Sequence, residues 1–182
     1  MKLNKLVQAA MFAAVAVGVG FSLLLVPNVE LITLTIFLAG LVLGPGWGIL
    51  VGGTAEVVFT SLNPLGSGLS FPPLFISQVL SMMLIGITGG LCRPFFYRFK
   101  FNLRRVVALG LVGFLLTFIY DSLTTLSYPL STGFGGPQIL GVYLAGLGFT
   151  FLHQIWNAVV FALGVPKVVQ HLAGVGMVTP RG

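Results

Sequence analysis

Long apolar runs, broken only by short clusters of Gly, Pro and polar residues, leave this chain almost no surface that could face water. Nine Lys/Arg and three Asp/Glu make up 7% of its 182 residues, against roughly 25% in an ordinary globular domain. With 57% AVILMFWYC and a mean hydropathy of +1.07, most of the surface has to face lipid. A spanning helix needs about 20 apolar residues, so the length holds about five to seven spans with their connections. The expected class is an all-α integral membrane protein, with residues 1–182 as a single transmembrane domain, multi-pass in the cell membrane.

The runs are six, at about 6–26, 31–43, 47–62, 71–91, 106–128 and 139–165. The second is too short to cross alone and reads as a short or tilted span ending at Gly44-Pro45-Gly46, where Gly and Pro stop a helix. The first starts basic, like a signal peptide, but continues apolar without an A-x-A-like site and reads as a span. Lys2 and Lys5 precede it, while Arg93, Arg98, Lys100, Arg104 and Arg105 lie between the fourth and fifth runs. Lys167 and Arg181 follow the sixth. All nine cations therefore fall on one side of a six-helix bundle, and the positive-inside rule makes that side, with both termini, cytoplasmic. The stretch from Arg93 to Phe101 mixes cations with aromatics, as suits a headgroup interface.

A net charge of +6 does not point to nucleic acid, which needs a polar basic surface with base-contacting side chains. Cys92, the only cysteine, can form neither an intrachain disulfide nor a metal cage. Catalysis is not expected. Leu65-Gly66-Ser67-Gly68 lacks the Gly two places before a hydrolase Ser and lies in an outer loop. No phosphate-binding loop or H-E-x-x-H is present, and three dispersed acids make a poor Mg²⁺ site. No cofactor or metal is expected.

Ionisable groups at membrane depth are costly and mark function. They are Glu56 in the third run, Asp121 in the fifth and His153 in the sixth, joined by Gln78 in the fourth. His153 and Asn157 share a helix face, with Trp156 beside it. Asn28, Glu30, Asn63, Ser127 and Tyr128 add polar groups at the outer end. These groups either satisfy one another between helices or line an outward-opening pocket, and the two readings are compatible. Ala9, Ala10, Ala13 and Ala14, continued by Gly18, form a small-residue face on the first helix. Such a face packs either within the bundle or against a partner helix.

With these residues in view, the chain resembles the substrate-binding S components of energy-coupling factor (ECF) transporters of the vitamin-uptake type. The similarity rests on six short spans, the Ala-x-x-x-Ala pattern, and Pro27-Asn28-Val29-Glu30-Leu31 through Leu38-Ala39-Gly40-Leu41-Val42-Leu43-Gly44-Pro45. It continues over Gly48 to Glu56, Asn63-Pro64-Leu65-Gly66 and Pro73-Leu74-Phe75-Ile76-Ser77-Gln78. The resemblance implies capture of a vitamin-like molecule from outside for ATP-driven import. The partners it implies are a transmembrane T component, docked on Ala9, Ala10, Ala13 and Ala14, and a pair of cytoplasmic ATPases. By position it implies a substrate site of Asn28, Glu30, Gln78, Asp121, Tyr128, His153, Trp156 and Asn157, with Glu56 as an outlying member. Metal-ion S components begin Met-His, whereas this chain begins Met1-Lys2-Leu3, which argues against cobalt or nickel.

The residues alone also fit a self-contained transporter or channel with Glu56, Asp121 and His153 as a proton relay, or a structural subunit that binds nothing. Aromatic Trp156 suits a planar ring. Glu30 and Asp121, with Asn157 and Gln78, suit a ligand carrying donors or positive charge.

Overall fold

The computed structural model describes residues 2–98 and 100–174, and for Lys2 and Leu3 the backbone only; Arg181 lies outside the described residues. Seven helices follow one another: α1 Lys2–Ser22, α2 Ile32–Leu43, α3 Pro45–Ser61, α4 Pro72–Leu91, the single turn α5 Arg93–Phe96, α6 Leu103–Ser131 and α7 Gly136–Gly174. A short 3-10 turn, Gly68–Ser70, lies between α3 and α4. Among the described residues there is no strand. Asn4–Ser22 of α1, α4, α6 and α7 are long and apolar enough to cross a membrane. The 12 residues of α2 and 17 of α3 reach only about 18 and 25 Å, short of a ~30 Å hydrocarbon core.

The short α2 is the centre of the molecule. It packs against α1, α3, α4 and α7, and all of Ile32–Leu43 is buried except Val42. A helix that is apolar on every face must be enclosed, and α2 is enclosed by protein. The break after it forms as the sequence predicts. Gly44 takes φ of 102°, which a side chain disfavours, and Pro45 opens α3, where its missing N–H costs no helical bond.

The α2–α3–α4 core is closed by a glycine seam. A Cβ on Gly40, Gly48 or Gly86 would collide with the backbone of the facing helix, and one on Gly52 with the Met82 carbonyl. Gly48 and Gly52, and Gly86 and Gly90, are each four apart, so the backbones touch along one stripe. α6 and α7 meet likewise. A Cβ on Gly113 would lie 2.6 Å from Phe161 Cγ and 2.7 Å from the Asn157 carbonyl oxygen. The Phe161 ring then packs on Phe37 of α2, with centroids 5.0 Å apart.

Three boundaries differ from the sequence reading. α1 stops at Ser22, whose hydroxyl bonds back to the Gly18 carbonyl. α6 runs through Pro129 and α7 through Pro166. On both sides of Pro166 the helix remains packed, with Val165 and Val169 fully buried, so tertiary contacts offset the hydrogen bond that the proline forgoes. The small face of α1 is divided: Ala9 and Ala16 are buried and Ala13 partly so, whereas Ala10, Ala14 and Gly18 are exposed.

Candidate functional site

Every acid in the chain enters one polar cluster. The backbone from Leu23 to Glu30 turns by successive short hydrogen bonds, Val26 N–H to the Leu23 carbonyl and Val29 N–H to the Val26 carbonyl. Asn28 takes a left-handed φ of 60°, a conformation asparagine tolerates better than most. Its amide donates to the Phe149 carbonyl of α7 at 3.3 Å. This turn delivers Glu30 to the start of α2, where its Oε2 accepts the Thr33 amide at 2.9 Å, one of the N–H groups a helix start leaves free.

Glu30 is then held by α7. Asn157 Nδ2 donates to Glu30 Oε1 at 2.7 Å, and Trp156 Nε1 donates to the Glu30 carbonyl at 3.1 Å. His153 Nε2 stands 3.5 Å from the same Oε1, while His153 Nδ1 lies 3.0 Å from Asp121 Oδ1 on α6. The imidazole thus lies between two carboxylates. Gln154 Nε2 reaches Asp121 Oδ2 at 3.4 Å and Thr150 Oγ1 at 3.3 Å. Glu30 lies in the connection before α2; its burial pushes the carboxyl pKa up, but His153, the Thr33 amide and the Asn157 amide together hold it below its usual 4.5.

Glu56 of α3 completes the set. It is 0% exposed, and neither carboxylate oxygen has a hydrogen-bond partner. Tyr120 of α6 lies beside it, within the fields of Glu56, Glu30 and Asp121, and bonds to Gln78 of α4. Gln78 Oε1 also accepts from the Thr60 hydroxyl at 2.7 Å. The Tyr120 ring stands edge-on to His153 at 6.5 Å. Asn157 is 0% exposed and its Oδ1 is unpartnered. Such orphans are costly and uncommon in buried sites.

Of the nine sequence-predicted substrate residues, Glu30, Asp121, His153, Trp156 and Asn157 are joined directly, and Gln78 and Glu56 meet them through Tyr120. Asn28 is a clasp on the loop, not a member of the cluster. Tyr128 stands apart: seven residues along α6 from Asp121, about 10 Å, it is 54% exposed between Phe71 and Phe134, at 5.6 and 5.8 Å. Sequence reasoning missed Tyr120 and Gln154, the direct neighbours of Asp121 and His153, and Thr60. Their signal was the same as that of the residues it found, polarity inside an apolar run. No three of His, Cys, Asp and Glu among the described residues are grouped to hold a metal ion.

The basic stretch takes a separate place. Arg93 lies over the Tyr97 ring at 4.7 Å, and Phe95, Phe96, Arg98, Asn102, Arg104 and Arg105 line a hollow of about 410 Å³. Arg105 begins α6, 16 residues before Asp121, so it is about 24 Å away along the helix. Comparisons with known proteins matched no family model, no curated protein and no solved structure.

Proposed function

We propose that this chain is the membrane-embedded substrate-binding component of an ECF-type importer, a non-enzymatic subunit that captures a water-soluble vitamin or related small heterocycle from outside. In this reading α1–α4, α6 and α7 form one six-helix bundle with both termini cytoplasmic. The basic stretch faces the cytoplasmic leaflet, and the acid cluster opens outward beneath the loop that carries Glu30. The observation that carries the reading is the convergence of Glu30, Glu56 and Asp121 with His153, Asn157 and Trp156, including polar atoms left without partners. A cluster that only held helices together would satisfy its own members. The resemblance of the loop and of the α1 face to vitamin-type S components supplies the partners: a T component against Ala10 and Ala14, and two ATPases on the cytoplasmic side.

The test is energetic. The tagged chain, expressed with its genomic neighbours, should bring down a transmembrane subunit and nucleotide-binding subunits, and uptake should stop when ATP is removed. A second reading, a proton-coupled transporter, is favoured by one feature, the continuous Glu30–His153–Asp121 chain. Proton-gradient-driven flux through the chain alone in liposomes establishes that reading instead.

A further inference from the structure

The cluster has an imbalance that its own side chains do not resolve. Glu30 has the Thr33 and Asn157 donors, and Asp121 has Gln154 and the His153 ring. Glu56 has only the Tyr120 hydroxyl beside it and no N–H donor or cation, although it is 0% exposed. Asn157 commits its NH₂ to Glu30 and leaves Oδ1 as a buried, empty acceptor. The groups without partners in the cluster are thus mainly acceptors, Glu56 on α3 and the Asn157 amide oxygen on α7, beside His153 Nε2. Only one imidazole is available among three carboxylates. Arg104 and Arg105 begin α6, and Lys167 lies ten residues along α7 from Asn157, about 15 Å.

We infer that the site takes an organic monocation carrying hydrogen-bond donors, seated between the Glu56 carboxylate and the Asn157 amide oxygen; this rests on the capture reading above and narrows it. An anion would meet three carboxylates with no guanidinium or ammonium to receive it. A neutral ligand would offer the buried Glu56 carboxyl no countercharge, whereas burying an unpaired carboxylate is costly. A cation with N–H or O–H groups supplies both missing partners. Tyr120 and Trp156, in the same cluster, suit an organic cation better than a bare ion, because aromatic rings attract delocalised positive charge. The grouping of ligands a metal ion needs is also missing among the described residues.

The test uses the full chain in lipid nanodiscs at pH 7.5. Thermal unfolding is followed with two cations, thiamine and choline, two neutral compounds, pyridoxine and nicotinamide, and two anions, biotin and nicotinate. A cation should stabilise the chain, and Glu56→Gln should weaken its binding at least tenfold while changing the affinity for any neutral compound less than twofold. Stabilisation by a neutral compound or an anion, with the cations inert, overturns the charge assignment and leaves the capture reading standing. Equal cation affinity in Glu56→Gln overturns the role of Glu56. If that variant does not fold, the ranking of the six compounds on the unmodified chain decides the charge class. A chain that responds to none of the six overturns the capture reading itself.

Discussion

Glu56 and Asp121 are both buried acids, yet they should answer mutation with opposite signs. Asp121 is paired, so Asp121→Leu strands His153 Nδ1 and Gln154 and should destabilise the ligand-free chain by about 3 kcal/mol. Glu56 is unpaired, so Glu56→Gln should stabilise the ligand-free chain by about 1 kcal/mol. Unfolding in detergent mixtures measures both. Trp156→Phe removes the donor to the Glu30 carbonyl and should cost about 1 kcal/mol, read as faster proteolysis in the loop at residues 23–30. That loop should also loosen in acid. Because Glu30 is held below 4.5 in the folded chain, its contribution is present at neutral pH and is lost as the pH falls through that lowered value. Proteolysis of the loop should therefore be slow at pH 6 and accelerate only once the pH has fallen below the usual carboxylate value. These residues were legible in the sequence because a polar group inside an apolar run is rare. Tyr120 and Gln154 were hidden by their neighbours, since a one-residue step on a helix turns the side chain by about 100° and only the packed structure decides which faces inward.

At the scale of helices, the α2–α3–α4 seam should tolerate no side chain. Gly86→Leu drives a side chain into the backbone of α3 and should abolish recovery of monodisperse protein in size-exclusion chromatography. Gly53→Ala, whose Cβ meets only the Met83 side chain at 3.3 Å, should be recovered normally. The small face of α1 separates two roles. Ala9 is buried, so Ala9→Leu should destabilise the chain by about 2 kcal/mol through overpacking. Ala10 and Ala14 are exposed, so leucine there should change stability by less than about 0.5 kcal/mol and, in the proposed complex, prevent partner association. In the sequence the small face of α1 stood out, but the glycines of α3 and α4 did not. Their four-residue spacing acquires meaning only when a facing helix is present. The length of α7 was hidden for a related reason: Pro166 is a local stop signal, and the burial of Val169 beyond it is a tertiary effect.

For the whole molecule, the scarcity of charge goes with an all-helical chain whose longest helices are apolar enough to cross a membrane, and the cations of the α4–α6 connection lie apart from the acids. The α4–α6 connection is basic and aromatic, and the buried cluster gathers all three acids around a single imidazole. Both groups stood out in the sequence because charge placement in a membrane is restricted by solvation. The sequence could not show that the shortest helix, α2, is the buried axis, since enclosure by four neighbours is a property of the assembly. The central claim is that the acid cluster receives a small molecule. The most direct measurement is mass spectrometry of what the purified chain releases on denaturation after extraction in mild detergent. The account predicts a stoichiometric small heterocycle, absent from preparations of folded Asn157→Ala; a chain that is empty as purified, and that neither Asn157→Ala nor added vitamins alter in thermal unfolding, would contradict it.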